Sequence, residues 1–234
     1  MSSFRSRRRR DDDVPKEPPK PGKITAIKVQ QRDNARVSIY IDEKFAFGLH
    51  MDIQLDHRLK AGDVLDEATI AQLLKEDETR KAITAALNLI SYRPRAAGEL
   101  RSKLREKGYA PEAVDAAVAR MQELDYLDDE AFAERWVESR QASRPRSERM
   151  LKRELAQKGV DKETIERAIE EAGVDELGDA LALARKKYES LRNEERDVRY
   201  RRLSGFLGRR GYGYDVIRQV METLEGEDDD APEE

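Results

Sequence analysis

The sequence predicts a mainly α protein in which tandem three-helix repeats form an elongated curved array, preceded by a small N-terminal β-meander. Two patterns predict this class: an early stretch alternates between apolar and polar residues, and three later segments align with one another. Composition agrees, because 40% of the residues are charged and 38% are hydrophobic. A highly charged chain with a thin core suits helices exposed on one face better than a compact α/β enzyme.

Both ends of the 234-residue chain are predicted to be disordered tails. Residues 1–22 contain an arginine cluster, three aspartates and four prolines, and residues 226–234 are mostly acidic. Such segments bury too little apolar surface to offset the entropy lost on ordering. The arginine cluster also suits contact with nucleic acid, but a solvated tail is the favoured interpretation.

Residues 23–76 are predicted to form the β-meander and short helices. Apolar residues alternate over 24–47, and the polar residues at 33–34 and 42–44 supply the turns between three antiparallel strands. After the third strand the period becomes helical, and no further strand is predicted. Asp66 is the predicted N-cap of the first longer helix.

Three segments, 91–121, 142–172 and 195–224, align without internal gaps. Leucines four residues apart predict one apolar helix face, and a glycine shared by all three segments predicts the end of that helix. The aligned positions are Leu100, Leu151 and Leu203; Leu104, Leu155 and Leu207; and Gly108, Gly159 and Gly211.

A further helix is predicted before each aligned segment, at about 79–91, 129–141 and 176–191. Each repeat therefore contains three helices, and neighbouring repeats are expected to stack. The predicted bounds of the three repeats are 77–127, 128–175 and 176–225.

Charge follows the repeat, because the middle helix of each unit is rich in arginine and lysine and the last helix is acidic. One interpretation is salt bridging between neighbouring helices together with solubility. The other is a continuous basic stripe, which would attract polyanions although the whole chain carries a net charge of −4. Charge alone does not choose between them.

The candidates for catalysis and metal binding favour structural roles. Asp128, Asp129 and Glu130 stand at a helix start and are expected to stabilise it rather than to bind a metal. His50 and His57 have no cysteine and no third histidine with which to complete a zinc site. We therefore expect no enzyme, no catalytic residue, no metal site and no cofactor.

Two other motifs also have simpler explanations. The glycine-rich run at 205–215 lacks the spacing of a phosphate-binding P-loop, and no strand precedes it. Phe132 and Trp136 lie four residues apart on one predicted helix, so core packing is favoured over base stacking. The absence of cysteine excludes disulfides, thiolate chemistry and cysteine-ligated clusters.

The best binding candidates are cations around the predicted helix start at Pro145 or Ser147, where a helix N-terminus adds attraction for phosphate. The group is more convincing than any member, since a single surface cation is usually solvated. The candidates for filament or DNA binding are Arg140, Arg144, Arg146, Arg149, Lys152 and Arg153, extended by Lys103, Arg105, Arg199, Arg202, Arg209 and Arg210.

One stretch, residues 126–160, carries a set of motifs that continues upstream into the first repeat. The motif residues are Tyr126, Leu127, Asp128, Asp129, Phe132, Ala133, Arg140, Leu151, Glu154, Leu155, Lys158 and Gly159, with Glu99, Leu100, Leu104, Lys107 and Gly108 upstream. With these residues the chain resembles the RecX family of regulatory proteins over about 80–225. Members of that family are built from tandem three-helix units, which agrees with the repeat.

The resemblance implies a non-enzymatic modulator of the RecA recombinase. Such a protein binds the filament that RecA forms on single-stranded DNA, and inhibits its ATPase, strand-exchange and coprotease activities. An array of similar units matches a repeating groove at several points, so that weak contacts add together. The resemblance also implies a part in DNA repair, recombination and the SOS response. We expect a cytoplasmic monomer that does not enter a membrane.

Two alternatives come from other classes of protein. A helical nucleic-acid-binding protein without a recombinase partner would bind DNA in the absence of RecA, with a steep dependence on salt. A protein-interaction scaffold would show unchanged DNA binding when Arg149, Lys152 and Arg153 are reversed to glutamate.

Overall fold

The structure is a computed structural model that describes residues 18–229. In these residues three strands precede the first of ten helices, and a fourth strand lies between the first and second helices. The predicted tails at 1–17 and 230–234 lie outside the described residues. The strands are β1 Gly22–Gln30, β2 Asp33–Ile41, β3 Lys44–His50 and β4 Val64–Leu65. The helices are α1 Met51–Asp56, α2 Glu67–Tyr92, α3 Ala97–Glu106, α4 Pro111–Glu123, α5 Asp129–Ser143, α6 Glu148–Gln157, α7 Lys162–Glu171, α8 Glu176–Glu189, α9 Arg196–Gly208 and α10 Tyr214–Asp229.

The described residues divide into two compact units. One contains the residues up to Asn88 together with Leu104–Met121, and the other contains Leu89–Lys103 together with the residues from Gln122 onward. The first unit holds the sheet and the second holds α5 to α10. The predicted mainly helical fold with an N-terminal sheet is therefore confirmed.

The predicted meander forms, with β1, β2 and β3 paired antiparallel in sequence order. Ile39 in the central strand pairs with Ile27 on one side and with Phe47 on the other. Irregular register near Ile24 allows both Ile24 and Ile27 to contact the same core although they are an odd number of residues apart. The alternation predicted over 24–47 places Val29 on the same face as Ile27, but Val29 is 54% exposed near the end of its strand.

The prediction that no strand follows the meander was wrong. β4 has two residues and pairs antiparallel with Gly22 and Lys23 at the start of β1. It extends the sheet to the order β3-β2-β1-β4. Alternation cannot reveal a strand of two residues, because the pattern needs about four residues to become visible.

One continuous helix, α2, replaces the two helices predicted between Asp66 and residue 91. Asp66 is its N-cap, as predicted, because the Asp66 carboxylate accepts the Thr69 amide at 2.7 Å. No glycine or proline interrupts the chain between the two predicted helices, so propensity favours a single helix. The boundary predicted at residues 76–77 consequently lies inside α2.

A buried ion pair joins α2 to the sheet and was not anticipated from the sequence. Arg36 on β2 donates two hydrogen bonds of 3.0 Å to the carboxylate of Asp77, which also accepts the His50 amide at 2.8 Å. Burial alone would raise the pKa of Asp77, but hydrogen bonds from Arg36 and Lys81 outweigh it and hold this pKa below its ordinary value. The pair fixes the register between helix and sheet.

The starts of α5 and α6 and the glycine ends of the middle helices are as the sequence predicts. Asp128 caps α5 by accepting the Ala131 amide at 2.9 Å, and Ser147 caps α6 in the same way at 3.2 Å. The repeated glycines adopt left-handed backbone at the ends of the middle helices, as predicted, with φ of 86° at Gly108, 78° at Gly159 and 96° at Gly211. Predicted helices at 129–141 and 176–191 are confirmed as α5 and α8.

The aligned leucines form the cores of the repeats. Leu151 and Leu155 pack with α5 and α7 residues in one cluster, and Leu203 and Leu207 pack with α8 and α10 in another. α10 continues to Asp229, so residues 226–229, predicted as part of a tail, are helical. The bounds predicted for the individual repeats stay predictions.

Candidate functional site

Helix α6 carries the densest group of predicted binding cations. Its capping residue Ser147 follows Pro145, which prevents α5 from continuing. Because Leu151 and Leu155 are fully buried, the intervening Lys152 and Arg153 project outward and are exposed. The amphipathic spacing of α6 thus creates a basic outer face.

Two of the predicted cations are held in ion pairs with Glu154. Arg140 donates to its carboxylate at 2.7 Å and lies over the Trp136 ring at 4.3 Å from the centroid. Trp136 also donates its indole N–H to Glu154 at 3.0 Å, and the Arg146 Nε lies 3.7 Å away. Arg140 therefore braces α5 against α6, although it was predicted as a binding residue.

The other cations near α6 have weaker ties. Arg149 donates to the Gly211 carbonyl at 3.1 Å, and Lys152 pairs with Glu148 at 3.3 Å within the helix. Arg144 and Arg153 are exposed, and neither side chain has an ion-pair partner within residues 18–229. Exposed pairs of the Lys152 type contribute less than about 1 kcal/mol, so these cations can exchange partners readily.

The loop between α9 and α10 brings two more predicted cations to the start of α6. The Arg210 carbonyl accepts the Ser147 amide at 3.2 Å, while its guanidinium lies 3.8 Å from the Phe206 ring centroid. Burial lowers the pKa of Arg210, and the positive charges of Arg146, Arg209 and Arg144 lower it further. These four arginines are called the arginine corner below.

The remaining predicted cations are separate from this corner. Arg202 pairs with Glu194 at 2.7 Å, and Arg199 lies over the Tyr188 ring at 4.7 Å. Lys103 is half-buried with an interaction of its own, and Arg105 is exposed on α3. The continuous stripe therefore stays a prediction, while α6 and the arginine corner are one local group.

Asp129, one of the acids of the motif, joins the starts of two helices. Asp129 accepts the Ala97 amide at 2.8 Å and so joins the start of α5 to the start of α3. Its burial raises the pKa of the Asp129 carboxyl. Leu127, Phe132 and Ala133 are buried beside it, as a structural motif requires.

His50 and His57 lie at the two ends of α1. His50 caps the helix by accepting the Asp52 amide at 3.2 Å, and His57 lies 2.7 Å from Glu76. Within residues 18–229 no group of three metal-ligating side chains is assembled. No helix among these residues is long and apolar enough to cross a bilayer.

Three cations surround Glu99, and the sequence did not predict these contacts. Arg93, Arg95 and Lys158 all donate to this carboxylate, which is 10% exposed. Burial would raise the pKa of Glu99, but hydrogen bonds from Arg93 and Lys158 outweigh it and lower the pKa. The signal that could have revealed the cluster is the sequence Arg-Pro-Arg, which occurs at 93–95 and again at 144–146.

Fold and motifs together define a class of protein: a multi-domain helical protein that begins with a small β-rich domain. Four family models match in chain order, described as the regulatory protein RecX N-terminal domain over residues 22–66 and the first, second and third three-helix domains of RecX over 82–121, 128–169 and 175–221. The chain belongs to the RecX family.

Relatives and solved structures agree with this assignment. Regulatory protein RecX of Clostridium botulinum (strain Alaska E43 / Type E3) is 34% identical over 85% of this chain and 94% of its own length. That of Clostridium perfringens (strain 13 / Type A) is 32% identical over 87% of this chain and 96% of its own. A crystal structure of regulatory protein RecX matches with a TM-score of 0.65 at 26% identity, over 86% of this chain and 98% of that chain.

Proposed function

We propose that this protein binds filaments of the RecA recombinase on single-stranded DNA and lowers their recombinase, ATPase and coprotease activities. The RecX family membership supports a regulatory role, and the resemblance supplies RecA as the partner. The partners are thus the recombinase and, through the filament, single-stranded DNA. No chemistry by this chain is required.

The observation that carries the proposal is the outer face of α6. Its leucines are buried and its exposed cations point away from the core, beside the further cations of the arginine corner. A surface of this kind suits a filament, which offers phosphates and acidic side chains at regular intervals. The basic face is local although the whole chain is net negative.

Inhibition follows if the protein contacts several recombinase subunits together. Each contact is weak, but linked contacts add through effective concentration. A protein that binds one arrangement of neighbouring subunits better than others shifts the filament toward that arrangement. Turnover requires the subunits to change arrangement, so tight binding to one state slows ATP hydrolysis.

The test is the single-stranded-DNA-dependent ATPase of the cognate RecA, measured while this protein is titrated in. The variant reverses Arg149, Lys152 and Arg153 to glutamate. The matched control makes the same charge change on exposed residues of other helices: Lys162→Glu, Arg185→Glu and Arg218→Glu. These control residues form exposed pairs that contribute little to stability.

We expect wild type and control to inhibit at less than one molecule per recombinase, and the α6 reversal to need at least about tenfold more protein. Absence of inhibition by the folded wild type would refute the recombinase proposal. Equal loss of inhibition in control and variant would show that net charge, not the α6 face, determines inhibition.

The ion pairs of Arg140 and Arg202 favour a protein-interaction scaffold as the second candidate function. A scaffold predicts no DNA-dependent effect at all.

A further inference from the structure

Neighbouring repeats meet at two junctions in the second unit, and the two junctions lie at equivalent places in the repeat. In the first, Gly159 at the end of α6 lies against Gly98 in the first turn of α3. In the second, Gly211 after α9 lies against Ser147 and Met150 at the start of α6. The contact of Gly159 with Gly98 is the first junction, and the contact of Gly211 with Ser147 and Met150 is the second junction. The alignment that places Gly159 beside Gly211 also makes Lys158 equivalent to Arg210.

The cations of the two junctions correspond as well. Arg93-Pro94-Arg95 precedes α3 and Arg144-Pro145-Arg146 precedes α6, at equivalent places in the repeat. In each junction, two arginines from one repeat thus meet a cation from the end of the middle helix of the next. The arrangement of positive charge is repeated.

The carboxylate that neutralises this charge occurs only in the first of these two junctions. There Glu99 accepts from Arg93 and Arg95, and from Lys158 at 3.1 Å. Its equivalent in the second junction is Met150, which has no charge. Arg149 takes the place of Gly98, and Gly211 packs on the Met150 Cβ instead.

The arginine corner consequently lacks a carboxylate at the place that Glu99 fills in the first junction. Glu154 contributes one long ion pair to the corner, with its Oε1 3.7 Å from the Arg146 Nε, while its Oε2 accepts from Arg140 and Trp136. The Arg146 Nε is buried and makes no hydrogen bond. Like charges held together in a partly buried place are costly unless an anion joins them.

Other groups around the corner do not supply that anion. Tyr212 is 2% exposed and its hydroxyl has no hydrogen-bond partner, although the charges of Arg146 and Arg210 reach it. Glu176 and Asp179 also act on Tyr212, but within residues 18–229 neither carboxylate forms an ion pair with an arginine of the corner. Glu176 accepts the Glu148 amide, and Asp179 accepts the Gln141 side chain. Burial and these two carboxylates raise the pKa of Tyr212, so the hydroxyl stays protonated and available as a donor.

The surroundings favour a nucleic-acid phosphate over an acidic side chain. Arg153 on the outer face of α6 adds exposed positive charge beyond the corner, which suits a repeating polyanion. Tyr214, four residues after Arg210, is 72% exposed and can stack on an unpaired base. A guanidinium group can bind two oxygens of one phosphate in the same way that it binds the two oxygens of a carboxylate.

We propose that the arginine corner binds a backbone phosphate of single-stranded nucleic acid, in the place that the Glu99 carboxylate fills at the first junction. The site deepens the proposed function and rests on it for its biological setting. Direct binding to an oligonucleotide nevertheless tests the site without a recombinase.

The experiment supplies the missing carboxylate within the chain. Met150→Glu should place a carboxylate among Arg144, Arg146 and Arg210, as Glu99 does at the first junction. Two controls accompany it: Met150→Gln has the same length without the charge, and Gln157→Glu adds the charge at an exposed position elsewhere on α6.

Binding is measured by fluorescence anisotropy with a labelled oligothymidylate at several salt concentrations. We expect Met150→Glu to weaken binding about tenfold or more and to reduce the slope of log K against log salt by about 0.7, the value for one phosphate on a single strand. Met150→Gln and Gln157→Glu should stay within about threefold of wild type.

Thermal unfolding gives a readout that is independent of DNA. An internal carboxylate should raise the Tm of Met150→Glu by about 2–4 °C relative to Met150→Gln. Should Met150→Glu unfold through its contact with Gly211, the double variant Arg144→Gln and Arg209→Gln replaces it, since both side chains are exposed. That variant must show the same loss of affinity and of salt slope.

Three outcomes would overturn the proposal. One is a raised Tm with unchanged oligonucleotide affinity, which means that the corner accepts an anion but DNA does not use it. Another is unchanged oligonucleotide affinity with weaker inhibition of RecA, which assigns the anion to an acidic side chain of the protein partner. The third is equal loss with Gln157→Glu, which assigns the effect to general charge. Oligonucleotide binding that Met150→Glu weakens as expected, by a wild-type protein that fails to inhibit RecA, would refute the proposed function alone.

Discussion

The first and second junctions occupy equivalent places in the repeat and differ in their electrostatics. Each brings a left-handed glycine against the first turn of a neighbouring helix. The first is neutralised by Glu99, whereas the second leaves the arginine corner without an equivalent acid. The difference shows that a repeat can keep a glycine contact at equivalent places and yet lose the acid that neutralises the cations around it.

Alanine at the junction glycine should have the largest effect on stability. Gly159→Ala combines a left-handed backbone with a Cβ that would lie 2.6 Å from the Gly98 Cα. We expect a loss of about 3 kcal/mol or more in the free energy of unfolding, measured by urea denaturation.

Gly108→Ala is the matched control for this packing. Gly108 has φ of 86°, but a Cβ there would meet nothing within 4 Å. The cost should be only about 1 kcal/mol, from the backbone conformation alone. Equal losses in the two variants would contradict the close approach inferred for Gly159.

Removing the acid of the first junction should turn it into a copy of the second. Glu99→Met leaves Arg93, Arg95 and Lys158 close together without an anion. We expect a loss of about 2–4 kcal/mol, since breaking a largely buried pair leaves unpaired charge. Chemical denaturation measures it, with Arg153→Met as an exposed control that should change stability by less than about 0.5 kcal/mol.

Acid should weaken the first junction specifically. The pKa of Glu99 is lowered in the folded protein, so its ionised form contributes stability above the unfolded-state pKa of about 4.3. That contribution is lost as the pH falls through the lower, folded-state pKa. The free energy of unfolding of the wild type should therefore drop more steeply between pH 5 and 3 than that of Glu99→Gln. Parallel pH curves would contradict the lowered pKa.

The smallest expected effect is a gain in stability beside the arginine corner. Gly208 ends α9 without a left-handed backbone, and a Cβ there would enter open space. Gly208→Ala should stabilise the protein by about 0.5–1 kcal/mol because alanine has the higher helix propensity. The Tm checks this, and unchanged oligonucleotide binding would separate helix stability from the function of the corner.

Much of the fold could be predicted because its signals are local and periodic. Alternation located the three longer strands, and leucine spacing with glycine stops located the middle helices of the repeats. The two-residue β4 and the continuity of α2 were missed. The first is too short for any period, and the second depends on a weak propensity between two predicted helices.

The candidate site was predictable as a composition but not as a set of contacts. Arg144, Arg146, Arg209 and Arg210 were all expected to be binding residues, and the structure brings them near one another. Arg140 was expected to be one as well, yet it is committed to Glu154 and Trp136. A count of cations cannot tell which of them already have an internal acid.

The sequence by itself determined the helix starts, the glycine stops and the apolar faces, because each depends on residues within a few positions of one another. Tertiary structure alone decided which charges are neutralised. The acceptor of Lys158 is Glu99 and the acceptor of Arg36 is Asp77, both far away along the chain. Pairing between distant residues depends on how helices and strands pack, and no local pattern encodes it.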